Sequence, residues 1–249
     1  LIVHVLDLEA AEAIAVIDDR ARPLALAFWP GPLTLVLPVR PESGIASLVT
    51  AGLNTIAIRV PAHRAMRALL AATGKPLAAP SANASGAISP TRASHVLASL
   101  NGRIALIVDD GPTSAGLEST IVMPGDPARL LRPGPIPANV IEAIIGRPLA
   151  QAPGGIIAPG QLASHYAPSK PLRINADRAR DGEWMIGFGN VPGDDSLSAA
   201  GDLIEAAAGL FDCLHRADAS DRTSIAVARV PANGIGAAIN DRLSRAAFR

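Results

Sequence analysis

Residues 147 to 171 read "RPLAQAPGGIIAPGQLASHYAPSKP", and neither a helix nor a sheet ladder can run far through them. Proline removes a backbone donor and fixes φ, and glycine adds freedom to the chain, so this stretch has the signature of a linker. It divides the sequence into a larger first segment, 1–146, and a smaller second one, 172–249. The whole chain of 249 residues is long enough for one large domain or two ordinary ones.

Both segments show strands alternating with helices. Leu1 to Val5 reads as a strand, and Asp7 as the N-cap of a helix from about Leu8 to Asp18. A Pro/Gly turn at Pro30-Gly31-Pro32 precedes a strand from about Leu33 to Val39. In "NTIAIRVP", Ile56, Ile58 and Val60 alternate with Thr55, Ala57 and Arg59, which predicts a strand with two distinct faces. "AHRAMRALLAATG" is helical up to Gly74, and a short strand ends at Pro80. "TRASHVLASLNG" reads as a capped helix, "RIALIVDDG" as a strand, "STIVM" and "ARLLRPG" as two short strands, and "PANVIEAIIG" as a helix. Hairpin-like connections among crossovers predict a mixed sheet with helices on its face. Beyond the linker, "PLRINA", "WMIGFGNVPG" and "SIAVARVP" read as strands, with helices at "AAGDLIEAAAGLFDCLHRADAS" and "GIGAAINDRLSRAAF", a βα alternation of Rossmann-like scale.

Composition narrows the function classes. Hydrophobic residues make up 49% of the chain, as expected for a core-forming protein. No apolar run reaches the ~18 residues of a membrane span, and no basic, apolar leader opens the chain. The formal net charge is zero, so no overall field attracts nucleic acid. Cys213 is the only cysteine, which excludes an internal disulfide and a cysteine-based zinc site and points to a reducing cytoplasm. No HExxH, GxxxxGK[ST] or GxSxG motif is present, and "GFG" at 187–189 falls short of a dinucleotide fingerprint.

The candidate binding residues are short and polar. "KPLAAPSANASGAISPT" gathers Ser81, Asn83, Ser85, Ser89 and Thr91 just after a strand end. Such groups offer donors to phosphate oxygens without bulk, or they make an ordinary Ser/Asn turn and helix cap. Arg59, among apolar neighbours, needs an anion, which is either a ligand or a structural acid, and Arg132 in "LLRPG" poses the same question. "GLESTIV" places Glu118, Ser119 and Thr120 at the start of a strand. His4 follows an apolar run, where a histidine is usually a satisfied core or surface residue. Tyr166, the only tyrosine, is either a packing anchor or a lid residue. Asp109-Asp110 can hold Mg²⁺ or form a solvated turn.

The order of these motifs is more specific than any one of them. "LIVHV…DL", "FWPGPLTLVLP", "IAIRVPAH", "PLAAPSANASGAISPT", "GLESTIV", "LLRPGPI" and "APGQLASHYAP" follow one another as in threonylcarbamoyl-AMP synthases, and the chain resembles the long, two-domain form of the YrdC-like family. The resemblance implies an α/β fold. It would comprise a YrdC-like mixed twisted sheet with flanking helices over 1–146, a linker with the HYAP motif over 147–171, and a Rossmann-like C-terminal domain over 172–249. It also implies a cytoplasmic nucleotidyltransferase that makes threonylcarbamoyl-AMP and pyrophosphate from L-threonine, bicarbonate and ATP, with Mg²⁺ accompanying the ATP. The product would pass to the machinery of tRNA threonylcarbamoyladenosine modification. Two other readings share the fold, a non-catalytic RNA-binding module and a related carbamoyl-transfer enzyme.

Matched position by position, the resemblance assigns His4, Arg59, Ala79 and Ser119 to threonine, with Arg59 on its carboxylate and Ala79 acting through its backbone. It assigns Thr55, Ser81, Asn83, Ser89, Arg132 and Tyr166 to ATP. No enzyme nucleophile is implied, nor any side-chain metal ligand. In the family, ~60 residues precede the point at which this chain opens, and they hold a Lys-x-Arg motif. A catalytic domain beginning at Leu1 is therefore expected to be shortened and impaired. Ala158-Pro159-Gly160 stands where Ser-Pro-Gly is usual.

Overall fold

The computed structural model describes residues 1–151, 158 and 165–248, so the middle of the linker, including Pro159 and Gly160, lies outside the described residues. In chain order the elements are β1 (Ile2–His4), α1 (Leu8–Ile14), α2 (Arg22–Phe28), β2 (Leu33–Pro38), α3 (Ser47–Thr50), β3 (Thr55–Arg59), α4 (Arg64–Thr73), β4 (Leu77–Ala79) and α5 (Ala93–Leu100). There follow β5 (Thr120–Met123), β6 (Arg129–Arg132), α6 (Ala138–Ile145), β7 (Ala150–Gln151), β8 (Leu172–Ala176), β9 (Glu183–Gly187), β10 (Asp195–Ser196), α7 (Leu203–Ala219), β11 (Ser224–Ala228) and α8 (Gly236–Ala247). They form two compact units, Leu1–Pro80 with Glu118–Gln161, and Ser81–Leu117 with Leu162–Arg249.

The first unit is built on a seven-stranded mixed sheet in the order β4-β1-β3-β2-β5-β6-β7. β1–β3, β2–β5 and β6–β7 are parallel pairs, and the remaining neighbours are antiparallel. Side chains alternate between the faces with a period of two, so the register decides what each face carries. One face presents Val3, Leu33, Leu35, Leu37, Ile56, Ile58 and Val122, buried under Ala11 and Ile14 of α1, Leu24 of α2 and Ile141 of α6. Each fully buried aliphatic side chain contributes ~1.5–3 kcal/mol, and a slip of one residue would lose the whole set. The other face carries a smaller apolar cluster of Val36, Ala57, Ile121, Leu131 and Ala158.

The second unit holds a four-stranded parallel sheet in the order β10-β9-β11-β8. Asp202 caps α7 by accepting the backbone N–H groups of Ile204 and Glu205. Leu210, Phe211 and Leu214 of α7 join Ile186, Ile225, Val227, Ile239 and Leu243 in its core. Ile88 and Leu117 belong to the same core. Gly116 lies so close to α7 that a Cβ would fall 2.3 Å from the Ala207 carbonyl oxygen. Residues 81–117 therefore group with the C-terminal residues, although in sequence they precede the linker.

Two local expectations differ from the structure, and one helix lies where none was expected. "RIALIVDDG" forms no strand, and Leu106 and Val108 are exposed there, because β-propensity without a ladder partner does not make a strand. The N-cap of α5 is Arg92, without a side-chain bond, instead of a Ser or Thr. Helix α2, with a proline in its first turn, has no expectation in the sequence reading, because its short apolar pattern merges with the turn after it.

Candidate active site

The conspicuous motifs of the first unit meet at one end of its sheet. Arg59, at the end of β3, is the registered partner of His4 at the end of β1. The neighbouring strand β2 starts beside them, and Leu33 there pairs with Thr120 of β5. Ile121 in turn pairs with Arg132, the last residue of β6. By this register His4, Thr34, Arg59 and Ile121 share the sheet face opposite the helices.

Hydrogen bonds lock the motifs to one another. Gly31 donates its N–H to the Val60 carbonyl, and its own carbonyl accepts from Arg59 Nε at 2.9 Å. No other residue fits there, since a Cβ on Gly31 would lie 2.3 Å from the Phe28 carbonyl oxygen. Arg132 is buried and donates from Nε and Nη2 to the Ser119 carbonyl, at 3.1 and 2.9 Å. Its Nη2 also reaches Ser119 Oγ at 3.2 Å, and Thr34 Oγ1 lies 2.7 Å from the same Oγ. Thr120 Oγ1 donates to the Ile136 carbonyl and accepts from the Ile136 N–H. "PGPLT", "IRVP", "ESTIV" and "LLRPGPI" are thus pieces of one lattice.

The electrostatics of this lattice favour an anion. Burial, and then the charge of Arg132, push the Arg59 guanidinium down to about 10, so it remains a cation at neutral pH. Among the described residues no carboxylate forms an ion pair with Arg59, and its Nε is used by Gly31, which leaves the Nη edge for a ligand. His4 is pushed down to about 4 by burial and by Arg59, against the opposing effect of the Leu77 and Ile2 backbone groups. It therefore stands neutral beside the cation.

The structure does not gather every expected residue at this end. Ala79 pairs with Ile2, ~7 Å along the strand from His4 at ~3.3 Å per residue. Thr55 pairs with Pro38 at the opposite end of β3, ~13 Å from Arg59 by the same spacing. Arg132, expected on the nucleotide, is bonded to Ser119 of the threonine set. Thr34 was missed. Its signal was a hydroxyl inside an otherwise apolar strand, where burial demands a partner.

Ser81, Asn83, Ser89 and Tyr166 belong to the second unit. Ser81 Oγ donates to Asn83 Oδ1 at 2.5 Å, and Asn83 Nδ2 donates to the carbonyls of Ala87 and Ile88 at 2.9 and 3.3 Å. Between them Ala82 takes a φ of +59°, uncommon for a residue with a Cβ and concentrated at functional sites. Ser89 is buried, while Ser81 is exposed. Tyr166 is fully buried against Phe211, with Arg242 5.1 Å from its ring centre, so it serves as a packing anchor in this conformation. To touch a nucleotide it must leave that place.

Cys213 and the acidic residues were the other candidates for chemistry. Burial pushes the Cys213 thiol up to about 12, so it is no nucleophile. Among the described residues no three His, Cys, Asp or Glu side chains converge to hold a metal. Asp109 Oδ1 accepts the Gly111 N–H at 3.0 Å.

The histidines make stability pH-dependent. His95 is pushed down to about 4 by burial and by His215, and His215 is lowered as well. Groups with lowered histidine pKa values bind fewer protons folded than unfolded, so stability falls as pH drops from about 6.5 towards about 4. Thermal midpoints from pH 7.5 to 4.5 are expected to decline through that window, and a flat profile would contradict the burial of His4 and His95.

Comparisons with known proteins give these features a family. A model for the Sua5/YciO/YrdC family, described as "Telomere recombination", matches residues 1–134. A second, described as "Threonylcarbamoyl-AMP synthase, C-terminal domain", matches residues 136–248. The chain is 40% identical to a threonylcarbamoyl-AMP synthase of Bacillus subtilis, over 99% of this chain and 79% of that protein. It is 35% identical to one of Pyrococcus abyssi, with the same coverages. The solved structure of Pyrococcus abyssi Sua5 complexed with L-threonine superposes with a TM-score of 0.89 at 35% identity, covering 99% of this chain and 79% of that one. Both sequence halves and the fold agree, and the chain belongs to the threonylcarbamoyl-AMP synthase family.

Proposed function

We propose that this protein is an L-threonylcarbamoyladenylate synthase that joins L-threonine, bicarbonate and ATP. The threonine amine and bicarbonate form a carbamate, with loss of water. A carbamate oxygen then attacks the α-phosphorus of ATP, and the bond to pyrophosphate breaks. The observation that carries this reading is Arg59, a buried cation without a carboxylate partner among the described residues, set beside His4 on one sheet face. Its Nη edge suits the threonine carboxylate, the only charge-assisted pair the substrate's backbone offers it. The Arg132-Ser119-Thr34 cluster supplies hydroxyls for the polar remainder of the amino acid.

Ser81, Asn83 and Ser89 are assigned to the phosphates of ATP, as neutral donors that follow a strand end. Mg²⁺ is assigned to the triphosphate that it accompanies. With no thiol nucleophile available, catalysis rests on positioning and on charge stabilisation at the α-phosphate. Among the described residues no helix is long and apolar enough to cross a membrane. We place the activity in the cytoplasm, feeding tRNA threonylcarbamoyladenosine modification.

The test is pyrophosphate release from ATP. Release that requires threonine and bicarbonate together is expected. Release independent of threonine would overturn the proposal.

A further inference from the structure

The loop from Ser81 to Thr91 is only partly self-supporting. The bonds from Asn83 close its first half, and Ala84 donates to Ser99 of α5 at 2.8 Å. Further holding groups come from outside the loop. The Ala167 N–H bonds the Gly86 carbonyl at 2.8 Å. The Thr91 N–H donates to His95 Nδ1 at 3.2 Å, and His215 Nε2 meets the Ser89 carbonyl oxygen at 3.1 Å.

These contacts fix both tautomers. A ring nitrogen that accepts an N–H is bare, so the proton of His95 sits on Nε2, which faces Asp212 Oδ1 at 3.5 Å. A nitrogen against a carbonyl must carry its proton, so His215 is also the Nε2–H form. The two rings stack with centroids 3.8 Å apart, 25° from parallel. Asp212 is itself gripped by Arg92 at 2.7 and 3.1 Å and by Arg216. Lowered pKa values keep both rings neutral at pH 7, so each nitrogen keeps its role.

We infer that His215 is a positioning residue for the nucleotide-side loop: from α7 its Nε2–H holds the Ser89 carbonyl, and the stacked His95 with Asp212 fixes the plane in which it does so. The inference rests on reading Ser81, Asn83 and Ser89 as nucleotide contacts. It gives the C-terminal domain a task in the reaction, because α7 sets the shape of the loop that meets ATP.

The test compares dissociation constants for ATP and for L-threonine in four variants of the full chain, His215→Ala, His215→Asn, His215→Gln and Asn83→Ala. Glutamine places its amide nitrogen near the position of Nε2, whereas asparagine stops near Nδ1. His215→Ala and His215→Asn are expected to weaken ATP binding about five- to tenfold, the loss expected for one hydrogen bond, and to leave threonine binding unchanged. His215→Gln is expected to bind ATP like the parent. Asparagine and glutamine differ by one methylene, so a general folding defect would not separate them. The inference is overturned if His215→Gln is as weak as His215→Ala. It is also overturned if all three match the parent while Asn83→Ala loses ATP. If Asn83→Ala retains full ATP affinity, the nucleotide assignment of the loop fails, and the inference fails with it.

Discussion

Replacing Arg59 with alanine is expected to weaken threonine binding by roughly a hundredfold, about 3 kcal/mol, while ATP affinity stays within about twofold. The size follows from the site. The guanidinium is buried, pushed down to about 10, and has no ion-pair partner of its own among the described residues. Its removal leaves a ligand carboxylate facing a weakly solvated space beside Arg132, whose Nε and Nη2 are committed to Ser119. Arg59→Lys should recover only part of the loss, because an ammonium cannot both replace Nε on the Gly31 carbonyl and present a planar fork. Calorimetric titration of each ligand separately decides the matter. Equal losses for threonine and ATP would remove Arg59 from the carboxylate.

The second large effect is expected at a residue that touches no ligand. A Cβ on Gly134 would sit 2.4 Å from the Thr120 nitrogen, 2.7 Å from the Glu118 carbonyl oxygen and 2.7 Å from the Ser119 carbonyl carbon. All three are backbone atoms, so no side chain can swing aside. Gly134→Ala must push residues 118–120 away from the turn after β6, pulling at the Arg132 and Thr120 bonds. A destabilisation of ~3 kcal/mol is expected, at the upper end of ordinary overpacking, along with weakened threonine binding through Ser119. Denaturant midpoints and threonine titration measure the two parts. Unchanged stability would mean that the two segments are not locked together.

Much of this could be read from the residues. The alternation in "NTIAIRVP" put Arg59 on the face away from Ile56 and Ile58, and the structure keeps it there. The order of the motifs gave the family. Their mutual contacts were beyond reach, because strand order and register depend on pairings between distant segments. Leu33 with Thr120 and His4 with Arg59 are such pairings. The role of Gly31 as the support of Arg59 was hidden for the same reason. The Pro-Gly-Pro turn was legible, but its carbonyl's partner was not. Tyr166 shows the limit of local chemistry, since both of its readings were open and burial against Phe211 and Arg242 selects the anchor in this conformation.

The discontinuous make-up of the second unit bears on how such a protein can be cut or shuffled. A gene ended after Gly146 would keep residues 81–117 but discard the helix on which Gly116 rests and the core that takes in Ile88 and Leu117. A gene started at Leu172 would keep α7 and β11 but leave that same core short of its borrowed residues. The linker marks where the sequence looks divisible, yet a recombination joint placed there severs one folding unit into two incomplete parts. Exchange between relatives should therefore succeed when segment 81–117 and the C-terminal residues come from the same parent, as a matched pair.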